Sequence, residues 1–384
     1  MNPIEPKRDE KQNVTMEDIA RATGLSKMTV SRALTNNGYV SKETRQKILT
    51  AAQQLNYEFN FIGRQLNQNR TGMLGIITPL EGLIGTYYFG QIVKGIHRAL
   101  AGSEYHIAHY DSLSGDFNDG KKCAQLCYQK RVDGLIVIAP RQNDRFIKTF
   151  SDLQVPLVVI GSSPSNPEIS YIDVDNYGGA RMAVEHLIEL GHRKIGFVRG
   201  PQNLNDSCER ERAFHETMAR HRITPDPAWI LEGNYDTRDA FHACYRLLSD
   251  TPSKQRPTAI FAANDMMALG VLDAARILGL DVPSDLSVVG FDNIDAASSI
   301  KPSLTTVRQP MQRLGKKSAE YLVDLLSNSS INHVIHEKLS AQLVVRSSTR
   351  SPARRNQKAS HLPFNHLPFN PSIPNHYHAP QTSE

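Results

Sequence analysis

An N-terminal all-α head carrying a helix-turn-helix, followed by an α/β body of two lobes with parallel sheets, is the architecture this sequence predicts. Three observations predict it. Residues 14–57 hold three short helical patterns separated by turn residues. From Gly72 to about residue 350, apolar strands alternate with amphipathic helices. The charge divides in the same way: residues 1–70 carry 11 Lys/Arg against 7 Asp/Glu, the segment from Arg350 onward four against one, and the long middle is near neutral. Strand–helix alternation implies a parallel sheet covered on both faces, and a run this long exceeds one such sheet, so two similar lobes are expected. The expected divisions are a disordered 1–13, a head over 14–59, a linker over 60–71, the body over 72–350 and a disordered 351–384.

In the head, Thr15 is the expected N-cap of a first helix, with Asp18 three residues later completing a capping box. Ile19 and Ala22 give that helix its apolar face, and Gly24 ends it. Ser26 caps a second helix, Lys27 to Thr35, whose inward residues are Val30, Ala33 and Leu34. Asn36-Asn37-Gly38 is a turn, and Val40-Ser41 opens a third helix through Ile48, Ala51, Ala52 and Leu55. Two short helices joined by a three-residue turn containing Gly and braced by a third form a helix-turn-helix.

In the body, the expected strands are Leu74–Thr78, Ile107–Tyr110, Gly134–Ala139, Leu157–Gly161, Ile195–Val198, Ala259–Ala263 and Ser287–Phe291. The expected helices are Phe89–Ala101, Ala180–Leu190, Cys208–Arg220, Ala240–Leu248 and Met266–Leu278, with a further helix carrying Cys123 and Cys127. The four cysteines (Cys123, Cys127, Cys208, Cys244) form no C-x-x-C and are expected as reduced thiols, with no metal. Met1 to Lys11 lacks an apolar h-region and no run of eighteen apolar residues exists, so a cytoplasmic protein without a membrane partner is expected. From Ser351 the chain is rich in Pro, Asn and His and repeats His361-Leu362-Pro363-Phe364-Asn365 as His366-Leu367-Pro368-Phe369-Asn370, a composition that does not pack.

A helix-turn-helix lays its second helix in the major groove. Lys27, Met28 and Thr29 begin that helix and Arg32 follows one turn later. Lys can donate to guanine O6 and N7, and Met can lie against a thymine methyl. Thr15, Ser26, Ser31, Tyr39, Ser41 and Thr44 offer hydroxyls or helix N-termini to phosphates, and Thr29 can join them. The residues themselves go further. Val14-Thr15-Met16-Glu17-Asp18-Ile19-Ala20, Gly24-Leu25-Ser26, Thr29-Val30-Ser31-Arg32-Ala33-Leu34, Val40-Ser41-Lys42-Glu43-Thr44-Arg45, Leu55-Asn56-Tyr57 and Asn60 closely resemble the head of the lactose/galactose repressor family. The resemblance implies that Lys27 and Met28 are the main base-reading positions, with Arg32 beside them. It also implies a hinge helix starting near Asn60 and running through Phe61-Ile62-Gly63-Arg64-Gln65-Leu66, which orders on DNA and wedges Leu66 into the minor groove. Gly63 stands where the family often has Ala, which weakens a helix by about 1 kcal/mol.

The resemblance continues through Val132-Asp133-Gly134-Leu135-Ile136, Asp175-Asn176-Tyr177-Gly178-Gly179, His186-Leu187-Ile188-Glu189-Leu190-Gly191-His192, Ala262-Ala263-Asn264-Asp265, Asp285–Asn293 and Leu304-Thr305-Thr306-Val307, and it implies a body like a periplasmic sugar-binding protein. In open α/β sheets a ligand binds beyond the carboxyl ends of the strands. Those ends here are Asp292, Asn264-Asp265, Ser162-Ser163 and Thr78-Pro79. The resemblance adds Arg210, in Arg210-Glu211-Arg212-Ala213-Phe214, as the ligand arginine, Tyr88 and Phe89 at the mouth of the first lobe, and Tyr235 as a pocket aromatic. The expected partners are near-palindromic double-stranded DNA, a small-molecule effector (a sugar, with a purine or nucleoside as alternative) and a second copy in a homodimer. No cofactor is expected. An enzyme is the rival class, but no G-x-S-x-G, P-loop or H-E-x-x-H is present. A transport-type binding protein would need a signal peptide and no such head.

Overall fold

The head is a bundle of three helices, α1 (Met16–Thr23), α2 (Lys27–Thr35) and α3 (Lys42–Gln54). In this computed structural model the described residues are 14–35, 38–57, 70–78, 83–111, 120–141, 155–164, 166–327 and 334–352, with the single positions 149 and 152; the expected linker and its residues Asn60, Gly63 and Leu66 lie outside them. Each helix start carries the expected cap. Thr15 donates from its backbone N to Asp18 Oδ2 (2.9 Å), Ser26 Oγ accepts from Thr29 N (3.1 Å), and Ser41 Oγ accepts from Thr44 N (3.2 Å). Gly24 ends α1 in the left-handed region (φ 69), which a residue with a Cβ enters only at a cost. Ile19, Val30, Ala33, Ile48, Ala51 and Ala52 form the buried core, with Leu34 and Leu55 packed against it. Ala22 is a correction: it is exposed, and Thr23 turns inward instead. The buried face of α1 runs from residue 19 to residue 23, one i, i+4 step, and the Thr23 hydroxyl is satisfied by donating to the Ile19 carbonyl (2.7 Å).

The body is two α/β lobes, as expected. The first contains a six-stranded parallel sheet ordered β11-β5-β4-β3-β1-β2, from β1 (Met73–Thr78), β2 (His106–Asp111), β3 (Gly134–Ile138), β4 (Leu157–Ile160), β5 (Tyr171–Val174) and β11 (His336–Leu339). The second has the order β12-β10-β9-β8-β6-β7, from β6 (Ile195–Arg199), β7 (Ile230–Glu232), β8 (Ala259–Ala262), β9 (Ser287–Asp292), β10 (Thr305–Arg308) and β12 (Gln342–Val344), with β12 alone antiparallel to its neighbour. The seven expected strands are all present. The five that were not expected, β5, β7, β10, β11 and β12, are only three or four residues long, and each contains at least one Thr, Asp, Glu, Lys, His or Gln.

The body helices are α4 (Tyr87–Leu100), α5 (Gly120–Tyr128), α6 (Asn176–Glu189), α7 (Asn205–Arg220), α8 (Thr237–Asp250), α9 (Asp265–Ile277), α10 (Asp295–Ser299) and α11 (Met311–Ser327). All five helices expected with bounds start one to four residues earlier than their apolar patterns. Asp175, Asp236 and Asn264 cap α6, α8 and α9 by accepting from backbone N–H groups two or three residues on. The chain passes between the lobes three times, at Asp175, at Gln309-Pro310 and at Ser340-Ala341. All four cysteines are free thiols, and no helix among the described residues is long and apolar enough to cross a membrane.

Helix α11 follows a strand of the second lobe yet packs on α4 and on β3–β5 of the first. The two helices meet at glycines: a Cβ on Gly95 would overlap the Gln312 carbonyl, and one on Gly315 would overlap the Ile92 carbonyl. Backbone on both sides leaves nothing to yield. Gly95→Ala should therefore destabilise the protein by about 1–3 kcal/mol through overpacking, although alanine is the better helix former. Urea denaturation checks this; an unchanged or raised midpoint would mean that the α4–α11 contact is slack.

Candidate functional site

Strands of both lobes end in residues or loops at one cavity of ≈ 360 Å³. From the first lobe come Leu83, Thr86, Tyr87 and Tyr88, with Ala139 after β3 and Gly161 after β4. From the second come Leu204, Asp206 and Arg210 of α7 and the loop before it, Tyr235 after β7, Asn264 after β8, Asp292 at the end of β9 and Gln309 after β10. The topology alone dictates this placement, because parallel strands deliver all their carboxyl ends to one rim. Two glycines make room for the rings: a Cβ on Gly161 would stand 2.6 Å from the Tyr88 hydroxyl, and one on Gly200 would stand 2.5 Å from the Tyr235 ring.

Arg210 forms the floor. It is 3% exposed. Its Nε and Nη2 donate to Asn176 Oδ1 (3.0 and 2.8 Å) and its Nη1 donates to the Ala263 carbonyl (2.6 Å). Nη2 also lies 3.5 Å from Asp206 Oδ2. The guanidinium carbon sits 3.9 Å from the Phe291 ring centroid. Burial opposes the charge, but Tyr235, Asp206 and Asp292 outweigh it and raise the guanidinium pKa. Asp292 accepts from Gln309 Nε2 (2.6 Å). It is held at φ 124, followed by Asn293 at φ 59, a pair of left-handed conformations that non-glycine residues keep only under local constraint. Burial raises the Asp292 carboxyl pKa, with Arg210 pulling the other way. Burial likewise raises the Tyr88 and Tyr235 phenol pKa values, so both stay neutral. The Tyr235 hydroxyl donates to Asp206 Oδ2 (2.9 Å).

Tyr88, Arg210, Tyr235, Asn264 and Asp292 thus meet as the sequence suggested. Phe89, Ser162 and Asp265 do not line the cavity. Phe89 lies one helical step round from Tyr88 and packs against the His109 ring at 5.3 Å in the first lobe. Ser162 is buried, and the neighbouring Gly161 reaches the cavity in its place. Asp265 is fully buried, accepting from Thr306 Oγ1 (2.5 Å) and Ile294 N (2.9 Å); burial first, then the Asp292 charge, raises its carboxyl pKa. It braces the loop behind Asp292. Asn264 lines the cavity while its Oδ1 caps α9 at Met267 N. Sequence reasoning missed Tyr87, Asp206 and Gln309. Asp206 was findable, since it stands one helical turn before Arg210; Gln309 follows a strand that was itself not expected. The lobes also touch directly. Tyr87 Oη donates to Asp295 Oδ1 (3.1 Å), Lys338 Nζ lies 2.8 Å from Glu209 Oε1, and Arg141 and Leu204 form an antiparallel bridge.

In the head, Lys27 and Met28 begin α2 on its exposed side, Met28 63% exposed, with Arg32 exposed one turn on. Lys27 Nζ is paired with Glu17 Oε2 at 3.1 Å. Thr15, Ser26 and Ser41 are at helix N-termini, Thr29 and Thr44 pair with the last two, and Tyr39 is almost fully exposed. Ser31 is half-buried on α2. Among the described residues no cluster of three His, Cys, Asp or Glu could hold a metal.

Residues 15–60 match the family described as bacterial regulatory proteins, lacI family, and residues 184–349 match the periplasmic binding protein-like domain. The HTH-type transcriptional repressor PurR of Haemophilus influenzae (strain PittEE) is 31% identical over 344 residues, covering 88% of this chain and 99% of its own. PurR of Proteus mirabilis (strain HI4320) is 32% identical over 316 residues, covering 82% and 91%. Among solved structures, the Lac repressor dimer bound to operator and the anti-inducer ONPF aligns with a TM-score of 0.76 at 28% identity, covering 88% of this chain and all of its own. The CelR–cellobiose complex, a transcriptional regulator, aligns at 0.65 and 27% identity, covering 87% and 99%.

Among the described residues Arg210 is the one buried cation on the cavity floor, so its removal strands Asp206, Asp292, Asn176 Oδ1 and the Ala263 carbonyl together. Arg210→Met should cost about 3–5 kcal/mol. Thermal and urea melts measure it, and a loss below about 1 kcal/mol would show that the arginine serves the ligand and not the fold.

Proposed function

The chain belongs to the lacI family of bacterial regulatory proteins, and we propose that the molecule its two-lobed body senses is a sugar, bound between the lobes and controlling operator affinity. Membership makes it a DNA-binding transcriptional regulator with an effector domain, of a family of repressors and not of enzymes. The cavity between the lobes carries the sugar reading. It offers hydroxyl groups a carboxylate acceptor at Asp292 and an amide at Asn264, and it offers a pyranose face the rings of Tyr88 and Tyr235. The CelR structure holds cellobiose in a related fold. A ligand that touches both lobes shifts the protein toward the closed form by its differential affinity and by no more than that.

At the other end, Lys27, Met28 and Arg32 read bases. Thr15, Ser26, Thr29, Ser31, Tyr39, Ser41 and Thr44, or the helix ends they cap, meet phosphates. Asn60, Gly63 and Leu66 belong to a minor-groove hinge shared by two copies in a homodimer on a near-palindromic site.

Two measurements test this. Operator affinity is measured with and without a panel of hexoses, pentoses and disaccharides, beside purine bases and nucleosides, for wild type and Asp292→Asn. A sugar should change wild-type affinity by about 5–150-fold and the variant's hardly at all. The raised carboxyl pKa of Asp292 sets the sign of the pH effect: the carboxylate accepts hydroxyl donors, so sugar affinity should fall as mildly acidic solution protonates it. A response to purines alone would overturn the sugar reading. Separately, Lys27→Ala should cost about 1–3 kcal/mol at one operator position and little elsewhere; uniform weakening on all sequences would move Lys27 to the phosphate contacts.

A further inference from the structure

The Asp292 carboxylate stands on a turn that its own residues disfavour. Asp292 ends β9 at φ 124 and Asn293 follows at φ 59, and neither is glycine. Such a turn persists only where its surroundings hold it. Gln309 Nε2 holds the Asp292 side chain from the second passage between the lobes, and Asp265 receives the Ile294 N–H from behind. Between these two points the Asn293 side chain is gripped from elsewhere, by the segment that follows β12.

Arg346, half-buried on that segment, donates through Nη2 to Asn293 Oδ1 (2.6 Å) and through Nη1 to the Leu304 carbonyl (2.7 Å). Asn293 is the first residue after β9 and Leu304 the last before β10. One guanidinium therefore closes the whole β9–β10 connection at its two ends. That connection supplies Ile294 to the cavity and, from α10, Asp295 to the Tyr87 hydroxyl of the first lobe. The root of the arginine is fixed as well. Its backbone N donates to Thr305 Oγ1 (2.9 Å), while Ser348 Oγ accepts from Thr305 N (2.8 Å) and donates to the Val288 carbonyl (2.6 Å). A planar fork anchored in this way holds two acceptors at a set separation, which an ammonium on a flexible stem does not.

We propose that Arg346 is a positioning residue of the effector site, holding the Asp292–Asn293 turn so that the Asp292 carboxylate is presented to the cavity. This rests on the reading of that cavity as the effector site. Asp292 lines the cavity, whereas Arg346 lies behind it and acts through Asn293. Without the clamp the turn relaxes toward backbone that both residues prefer, and the carboxylate leaves its place beside Gln309. Asp265 does not substitute, since it grips the backbone of the connection at Ile294 and not the Asn293 side chain.

The test is calorimetric titration of the full-length protein with the panel of hexoses, pentoses, disaccharides, purine bases and nucleosides, then a double-mutant cycle on the tightest-binding compound. Arg346→Met should weaken that compound about tenfold or more, but about threefold or less in an Asn293→Gly background, where the acceptor through which it acts is gone. An arginine that only supports the fold would lower the melting temperature and leave the affinity unchanged, or weaken binding equally in both backgrounds. Either result overturns the proposal. If Arg346→Met does not fold, Asn293→Gly decides alone, since glycine adopts φ 59 freely. A loss of more than about threefold in that variant then supports the proposal, and a smaller one overturns it. Asp292→Asn separates the two readings. If it binds as wild type does, the cavity reading fails; if it weakens binding while the other variants do not, only the role of Arg346 fails. Binding of no compound in the panel removes the premise and the proposal with it.

Discussion

The buried guanidinium of Arg210 is the constraint on which the rest of the body depends. A cation 3% exposed persists only if it is paired and hydrogen-bonded, and meeting that demand organises its neighbours. Asn176 begins α6 directly after the first passage between the lobes, and its Oδ1 takes two of the arginine's donors. Ala263 directly follows β8, Asp206 lies in the first turn of α7, and Phe291 closes over the guanidinium from β9. One side chain thus ties the start of α6 to β9, to the residue after β8 and to the first turn of α7. It also explains why the floor is acidic, since a cation buried this deeply draws carboxylates to it and two arrived.

The three passages between the lobes give the body its mechanical character. One of them carries Gln309, which lines the cavity and donates to Asp292. On the proposed reading of the cavity, a ligand at the floor meets this passage between the lobes directly, with no relay of packed side chains. Tyr87 extends the argument to the other wall. It belongs to α4 of the first lobe, lines the cavity and reaches Asp295 of the second, a single exposed hydrogen bond worth roughly 0.5–1.5 kcal/mol. Contacts of that size can be exchanged for ligand contacts, whereas a large apolar interface between the lobes could not.

Most of the fold was legible because its signals are local. Four-residue runs such as Leu157–Ile160 are buried at every position and read as strands without ambiguity, and the caps at Thr15, Ser26 and Ser41 are marked by residue type. β11 and β12 were not legible, because an edge strand needs little apolar content once its neighbour supplies the hydrogen bonds. α11 was missed for a different reason: its partner α4 lies more than 200 residues earlier in the chain, and nothing nearby announces that a helix after β10 returns to the first lobe. The site divides similarly. Residues at strand ends, such as Asp292 and Asn264, follow from topology. Which of two neighbours faces the cavity does not: Tyr88 or Phe89, Gly161 or Ser162, and Asn264 or Asp265 differ by one residue and by a rotation that only packing decides.

Charge of opposite sign at the two functional surfaces completes the picture. The head is basic and reads a polyanion, while the cavity floor carries carboxylates in excess of its one arginine. A polyanion attracted to the head is repelled by the carboxylates of the cavity floor. The head applies the same economy at finer scale. Lys27 is parked on Glu17 at 3.1 Å, with both side chains more than 60% exposed. An exposed pair is worth about 0–1 kcal/mol, less than the roughly 1–3 kcal/mol of a good base contact. On the proposed reading of Lys27 as a base contact, the pair opens where the base is right and discounts contacts that are merely adequate.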